Sequence, residues 1–180
     1  MNPSRRVFLK FSGPAATLAL AAGAGLFKTG EALAATEPGQ RVTLPDIRLL
    51  DNAVITARSL AGKPVVIYFW ASWCPYCAKQ SPYIEALYRR TRTTDLQMIS
   101  VSVDKTAADA RNYLAQKGYT FPVTMDAGVM ERALGTRRAL PKTYVINRSG
   151  MLAFSAFGEM FEEDVLELVR FAALPAVMRC

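Results

Sequence analysis

Two cysteines separated by two residues, Cys74 and Cys77, are the side chains in this sequence best suited to chemistry. The apolar run 65–70 before them predicts a buried strand, and residues 78–90 after them predict a helix. A cysteine at the N-terminus of a helix faces unpaired backbone N–H groups and the positive end of the helix dipole, which favour the thiolate. The second thiol lies one helical turn further on, within reach of the first. The pattern therefore predicts dithiol–disulfide exchange, with Cys74 as the nucleophile and Cys77 as the resolving thiol.

Haem attachment, zinc binding and a static disulfide fit this cysteine pair less well than redox exchange does. The chain contains no histidine, which excludes His-based catalysis, and Cys77 is followed by Ala78 rather than by the histidine of a c-type haem attachment site. A zinc site needs four ligands, and Cys180 is the only further thiol. A static disulfide across so small a loop removes little entropy from the unfolded chain. We therefore expect a redox-active pair with no metal and no cofactor, in which Cys74 is exposed and partly ionised.

The charge pattern gives little reason to expect a nucleic-acid partner. The sequence carries 22 basic and 15 acidic residues, a formal net charge of +7. Arg89, Arg90 and Arg92 cluster near the end of the predicted helix, where cations suit the helix dipole, and such a run is typical of a solvated face. We expect no nucleic acid among the partners.

The N-terminal segment resembles a bacterial twin-arginine signal peptide. Residues 4–10 read Ser-Arg-Arg-Val-Phe-Leu-Lys and precede a weakly apolar run, residues 11–27, that is rich in Ala and Gly. Ala32-Leu33-Ala34 offers a small-x-small cleavage site, which places the cut after Ala34. An uncleaved membrane anchor is the weaker alternative, because the apolar run is shorter than the roughly 20 residues that a spanning helix needs. We expect export to the periplasm.

The chain divides into a signal peptide at residues 1–34, a linker at residues 35–41 and one folded domain at residues 42–180. The exported part is long enough to bury a single core without the help of a disulfide. In an oxidising compartment a free dithiol persists only while something supplies electrons. We therefore expect an electron-donating thiol protein, bound to the membrane, among the partners.

The hydrophobic pattern of the exported part alternates strands and helices. Asp51-Asn52 is a turn pair between apolar segments and predicts a leading β-hairpin. Strand–helix order after the cysteines implies right-handed crossovers and a parallel central pair. A turn at residues 147–150 then joins two antiparallel strands ahead of a final helix. The predicted strands are at 42–50, 54–56, 65–70, 96–103, 121–125, 143–146 and 151–157, and the predicted helices are at 78–90, 106–117, 129–134 and 161–173.

Elements in this order resemble the thioredoxin fold, an α/β fold with a mixed central β-sheet flanked by helices, here preceded by an N-terminal β-hairpin. Residues 69–77 read Phe-Trp-Ala-Ser-Trp-Cys-Pro-Tyr-Cys and match the superfamily pattern Phe-Trp-Ala-x-Trp-Cys-x-x-Cys. The segments 62–64, 121–123 and 140–146 look like the exported TlpA/ResA/CcmG-type branch. The resemblance covers most of residues 40–172 and implies a thiol:disulfide oxidoreductase.

The resemblance also implies roles for residues around the cysteines. Pro141 resembles the cis-proline that faces the dithiol in this fold, and it leaves the backbone of Leu140 to pair with a client peptide. Pro75 and Tyr76 lie between the two sulfurs and tune the redox poise. Trp73, next to the nucleophile, offers an apolar docking face.

Tyr68 departs from the thioredoxin pattern, which carries a buried Asp at the matching strand position. The proton relay attributed to that acid is therefore in question, and the base that deprotonates Cys77 stays open. We expect Trp70 to lie in the core, and we expect Cys180, the odd thiol at the last residue, to be non-catalytic.

Together these features predict an exported, monomeric thiol:disulfide oxidoreductase that acts as a protein-disulfide reductase. The family suggests apocytochrome c thiols or a metal-site assembly protein as clients. Three alternatives remain: a peroxiredoxin-like peroxidase, a non-enzymatic copper-delivery protein of the Sco kind, and a dimeric disulfide isomerase. A peroxidase would need Thr where Ala71 stands, and the Sco design uses Cys-x-x-x-Cys plus His, which this chain lacks.

Overall fold

Strand β3 (Val65–Trp70), which leads into the cysteine pair, is the central strand of the fold. A computed structural model of the chain describes residues 36–135 and 137–173. The other strands are β1 (Ile47–Arg48), β2 (Val54–Ile55), β4 (Gln97–Ser102), β5 (Val123–Thr124), β6 (Lys142–Ile146) and β7 (Leu152–Phe157). The helices are α1 (Ala57–Leu60), α2 (Pro75–Thr91), α3 (Ala107–Lys117), α4 (Ala127–Leu134), α5 (Glu162–Glu167) and α6 (Arg170–Ala173).

Five of these strands form one mixed sheet in the order β5-β4-β3-β6-β7. β3 runs parallel to β4, with Val65 opposite Gln97, and antiparallel to β6, with Val65 opposite Ile146. β1 and β2 form a separate antiparallel hairpin. The mixed sheet flanked by helices and the leading hairpin confirm the predicted thioredoxin fold.

Every residue of β3 is buried, because the sheet has a hydrophobic core on each face. Successive strand residues point to opposite faces. The even-numbered residues of β3, which include Tyr68 and Trp70, pack in the core formed with α2, α3 and α5. The odd-numbered residues pack in the core formed with α1, α4 and the β1–β2 hairpin. Trp70 is fully buried, as predicted.

The structure corrects the predicted boundaries near both ends of the domain. The first hairpin strand, predicted at 42–50, is only β1. Pro45 has no N–H to contribute to strand pairing before β1, and the turn after β1 is closed by the hydrogen bond from the Asn52 N–H to the Leu49 carbonyl at 3.0 Å. The helix predicted at 161–173 is two helices, α5 and α6. Between them hydrogen bonds span three residues instead of four, as from the Val169 N–H to the Leu166 carbonyl at 3.2 Å. Helix α1 matches no predicted element.

The N-terminal predictions fall largely on residues that the structure leaves undescribed. The predicted signal peptide at residues 1–34 lies outside the described residues, as does Cys180. Residues 36–41, most of the predicted linker, run beside the start of β7, where the Gly39 N–H donates to the Leu152 carbonyl at 2.8 Å. Within the described ranges, every helix is too short or too polar to cross a bilayer.

A buried carboxylate, Glu85, ties helix α2 to the segment ahead of β5. Its oxygens accept hydrogen bonds from the Thr120 N–H at 2.7 Å, the Thr120 hydroxyl at 2.7 Å and the Phe121 N–H at 3.2 Å. Arg89 Nε donates to the same carboxylate at 2.7 Å. Burial raises the pKa of Glu85, but the donors from Thr120, Arg89 and Phe121 outweigh it and hold that pKa below its usual range. The helix that carries the cysteines is therefore anchored by an ionised group.

We expect the Glu85→Ala variant to lose about 2–4 kcal/mol of unfolding free energy at neutral pH, because Thr120 and Phe121 lose a buried acceptor. The pKa of Glu85 is lower in the folded protein than in the unfolded chain. The ionised Glu85 side chain therefore contributes fully to the unfolding free energy above about pH 5, and this contribution is lost as the pH falls through the folded-state pKa. Urea unfolding at a series of pH values measures both effects.

The matched control is Glu163→Ala, which removes an exposed carboxylate in α5 and should change the unfolding free energy by no more than about 0.5 kcal/mol. A difference between wild type and Glu85→Ala that stays constant from about pH 7 to pH 3 would contradict this account of Glu85.

Candidate active site

The sulfur of Cys74 lies at the N-terminus of helix α2. Cys74 is the N-cap residue, and its Sγ accepts a hydrogen bond from the Cys77 N–H at 3.2 Å. Pro75 occupies the first turn, where a backbone N–H would have no partner within the helix. Cys77 forms a disulfide with Cys74, and their Cα atoms are 5.2 Å apart. Once the disulfide is reduced, the Cys77 N–H and the helix dipole favour negative charge on Cys74 Sγ.

Both sulfurs are enclosed, whereas two aromatic side chains beside them are exposed. Cys77 is fully buried, and Cys74 is only 5% exposed. The prediction that Cys74 is exposed is therefore wrong for the disulfide form, because its sulfur is turned inward, towards the Cys77 N–H and the Cys77 sulfur. Trp73 and Tyr76 are 65% and 55% exposed, which leaves apolar surface on the residues next to Cys74.

A cavity of about 580 Å³ opens beside Cys74, and we call it the Cys74 groove. Five of the predicted site residues line it: Trp73, Cys74, Pro75, Tyr76 and Leu140. The Leu140–Pro141 peptide bond is cis, which is the geometry that the resemblance implies. The structure therefore brings the segment before β6 to the same cavity as the cysteine that caps α2.

Four charged side chains also line the Cys74 groove: Glu131, Arg137, Arg138 and Lys142. Lys142 is buried, and its Nζ donates to Glu131 Oε1 at 2.7 Å and to the Arg137 carbonyl at 3.3 Å. The same Nζ lies 4.2 Å from the centre of the Phe69 ring. A buried ammonium group needs such partners, because an unpaired charge is costly to desolvate. In the part of the chain that the structure describes, no three His, Cys, Asp or Glu side chains are grouped so as to hold a metal ion.

A second buried carboxylate, Asp104, holds the loop that leads to the cysteines. Asp104 follows β4, and its Oδ1 accepts hydrogen bonds from the Ser72 N–H at 3.1 Å and the Ser72 hydroxyl at 2.8 Å. Its Oδ2 accepts one from the Ser102 hydroxyl at 2.8 Å. Because Ser72 lies two residues before Cys74, these bonds restrict the loop between β3 and α2.

Tyr68 stands where the thioredoxin pattern has a buried acid, and its hydroxyl reaches the first turns of α2. The hydroxyl donates to the Cys77 carbonyl at 3.3 Å and lies 3.1 Å from Ser81 Oγ. Burial raises the pKa of Tyr68 far above its usual value. The hydrogen bond with Ser81 lowers this pKa but offsets only part of the increase. Tyr68 is therefore neutral throughout the physiological pH range and acts as a structural hydroxyl rather than as a base.

Sequence reasoning missed Asp104, Ser81, Gln80 and Lys142. The position of Asp104 was a usable signal, since it follows the strand next to β3 and the carboxyl ends of parallel strands lie at one edge of the sheet. Gln80 and Ser81 lie three and four residues after Cys77, on the same face of the helix. Gln80 is buried, donating to Thr143 Oγ1 at 3.1 Å and accepting from the Met160 N–H at 2.8 Å.

Comparison with known sequences points to one group of proteins. The Redoxin family model matches residues 35–169 of this chain. The thiol-disulfide oxidoreductase ResA of Bacillus anthracis is 30% identical over 118 residues, which are 64% of this chain and 67% of that protein.

Comparison with solved structures identifies the same fold. A thiol:disulfide interchange protein of the thioredoxin family from Chlorobium tepidum TLS matches with a TM-score of 0.66 and 22% identity, covering 76% of this chain and 99% of the other. StoA from Bacillus subtilis matches with a TM-score of 0.60 and 20% identity, covering 69% and 97%. At these identities the structural likeness shows the thioredoxin fold.

We expect the Asp104→Asn variant to slow thiol exchange at Cys74 several-fold and to lower the unfolding free energy by about 1–3 kcal/mol. The amide keeps the size of the side chain but offers Ser72 and Ser102 only one acceptor oxygen. Ser72→Ala should have a smaller effect, because the Ser72 N–H still donates to Asp104. Stopped-flow reduction of a small disulfide and urea unfolding measure the two quantities.

The control for this prediction is Asp164→Asn, in the first turn of α5, where the side chain is exposed. Wild-type exchange rate and stability in Asp104→Asn would show that the loop before Cys74 keeps its position without this carboxylate.

The Tyr68→Phe variant should lose about 1 kcal/mol of unfolding free energy, because the Cys77 carbonyl and Ser81 lose a hydrogen-bond partner. The pH dependence of the resolving step should not change, since Tyr68 is too weak an acid to provide a base at neutral pH. Rapid-mixing measurements of the release of a thiol from a mixed disulfide at Cys74, between about pH 6 and pH 9, test this. A displaced pH profile would mean that the Tyr68 hydroxyl relays the proton.

Proposed function

Because this chain belongs to the Redoxin family and is a TlpA/ResA/CcmG-like thiol-disulfide oxidoreductase, we propose that Cys74 and Cys77 are its reacting pair. One observation carries the assignment of the nucleophile: Cys74 Sγ is the cap of α2 and accepts the Cys77 N–H at 3.2 Å. A sulfur in that position is stabilised as the thiolate without a neighbouring base. Cys77, buried one turn further on, is the resolving thiol.

Each cycle on a client disulfide consists of two exchanges. The Cys74 thiolate attacks one client sulfur, so that a Cys74–client bond forms, the client disulfide breaks, and the released client sulfur takes a proton. The Cys77 thiolate then attacks Cys74 Sγ, the Cys74–Cys77 disulfide forms, and the second client sulfur leaves and is protonated. Two electrons and two protons pass from the enzyme to the client. A donor dithiol must then reduce Cys74–Cys77 again.

Residues around the pair are assigned to docking and to redox poise. Trp73 and Tyr76 present exposed rings beside Cys74 and offer apolar contact to a client. The backbone of Leu140, in the same groove, pairs with the client chain, and Pro141 supports that segment. Pro75 has no N–H that could stabilise a thiolate, and with Tyr76 it sets the redox poise.

We propose that the enzyme works in the periplasm, as a monomer, and that its net reaction is the reduction of client disulfides. The support is the N-terminal sequence, which resembles a twin-arginine signal and predicts cleavage after Ala34, with residues 35–41 as linker and 42–180 as the catalytic domain. In an oxidising compartment the dithiol needs a donor, for which we propose a membrane-bound thiol protein. Family resemblance favours apocytochrome c thiols or a metal-site assembly protein as clients.

The test is to trap clients on a Cys77→Ala variant of the full chain, produced in a cell that exports it. We expect mixed disulfides through Cys74 to accumulate in the periplasmic fraction, because the resolving thiol is absent. Mass spectrometry identifies the clients and the N-terminus of the trapped protein, which should begin at Ala35. In cells without the enzyme, the same client cysteines should shift towards the disulfide.

The control is the variant with both Cys74→Ala and Cys77→Ala, which should trap nothing. The absence of any partner on Cys77→Ala would count against exchange with proteins at Cys74. Client cysteines that become more reduced when the enzyme is missing would instead reverse the proposed direction, and a trapped protein that keeps residues 1–34 would overturn the cleavage.

A further inference from the structure

We propose that the Cys74 groove prefers client segments with an acidic side chain next to the reacting cysteine, and that Arg138 is the residue that recognises this acid. The inference deepens the proposed function, because it concerns the substrates of that same site. It starts from the charges that line the groove.

The charges of the groove do not cancel. Lys142 is buried and paired with Glu131, so this pair adds little net charge. Arg137 pairs with Glu37 at 2.8 Å, and both side chains are exposed. Arg138 is exposed, and it has no hydrogen-bond or ion-pair partner among residues 36–135 and 137–173. Among the described residues, the groove beside the reacting sulfur therefore has a positive charge with no counter-charge.

The composition of the groove matches a peptide rather than a small anion. Trp73, Tyr76 and Leu140 give it apolar surface, and Arg138 lies only two residues from Leu140, whose backbone is assigned to client pairing. A client chain that pairs with Leu140 therefore passes near the guanidinium of Arg138. A guanidinium group binds a carboxylate through two parallel hydrogen bonds, which gives orientation as well as attraction.

The second arginine strengthens this preference. The Arg137–Glu37 pair is solvent-exposed, and such pairs contribute little to stability. Arg137 also lies over the ring of Phe157, 5.1 Å from its centre, which limits the positions of the guanidinium group. An acidic client side chain can therefore also pair with Arg137, whose contact with Glu37 is weak and replaceable.

An acidic side chain in the client should also change the rate of thiol–disulfide exchange. A carboxylate next to the attacked client cysteine repels the incoming thiolate in the first exchange. It also raises the pKa of that cysteine, which makes its sulfur a poorer leaving group in the second exchange. A nearby arginine offsets this effect while the client is bound. An acidic client should therefore react slowly with a simple thiol but quickly with this enzyme, and the contrast separates recognition from intrinsic reactivity.

The experiment uses three peptides with one internal disulfide each, identical except for Asp, Asn or Lys next to the attacked cysteine. Their reduction by the full exported enzyme is measured at low and high salt and is divided by their reduction by dithiothreitol. We expect a normalised preference for Asp over Lys of about fivefold or more at low ionic strength, fading in about 0.5 M salt. In Arg138→Glu the preference should reverse.

The matched control is Arg90→Glu, which makes the same charge change at an exposed position in the last turn of α2, at the opposite end of that helix from Cys74. It should keep the wild-type preference, and thermal melting checks that both variants are folded. Equal normalised rates for the three peptides, or an Asp preference that survives Arg138→Glu, would overturn the inference. Failure to reduce any of the peptides, the Asn peptide included, would instead count against the proposed function.

Discussion

The hydrogen bond from the Cys77 N–H to Cys74 Sγ is the contact on which the site depends. It exists only if α2 begins at the first cysteine, directly after a strand that holds the preceding residues in place. β3 provides this by being buried on both faces and paired on both edges. The fold thus supplies electrostatic stabilisation of a thiolate from the backbone, in a chain that has no histidine to supply it.

The polar groups behind the disulfide are arranged for position rather than for proton transfer. Tyr68 replaces the acid of the thioredoxin pattern with a neutral hydroxyl, and Gln80 uses its amide to join α2 to Thr143 and to the Met160 N–H. Both side chains have their hydrogen bonds satisfied within the core, which is the condition for burying them at low cost. The buried carboxylates Glu85 and Asp104 lie elsewhere, and each holds a segment of backbone.

Sequence alone predicted the features that depend on local pattern. The order of the strands, the placement of Cys74 at the N-terminus of a helix and the buried Trp70 follow from hydrophobic periodicity and from the residues around Cys74. Two of the predicted elements are wrong because hydrophobic periodicity does not detect a change in backbone hydrogen bonding. Pro45 has no N–H for strand pairing, and the hydrogen bonds of the last helix change between α5 and α6.

What sequence could not provide is the set of contacts between residues distant in the chain. Ser72 and Asp104 are 32 positions apart, and Lys142 pairs with Glu131 only because its side chain extends from β6 on the face of the sheet where α4 packs. Isolated hydroxyl, amide and charged side chains of this kind occur in every sequence, and they form no periodic pattern along the chain. Their roles follow from which strand end or helix turn the fold places beside them. A buried lysine shows this best, since its sequence neighbours predict a strand but give no indication of the carboxylate that permits its burial.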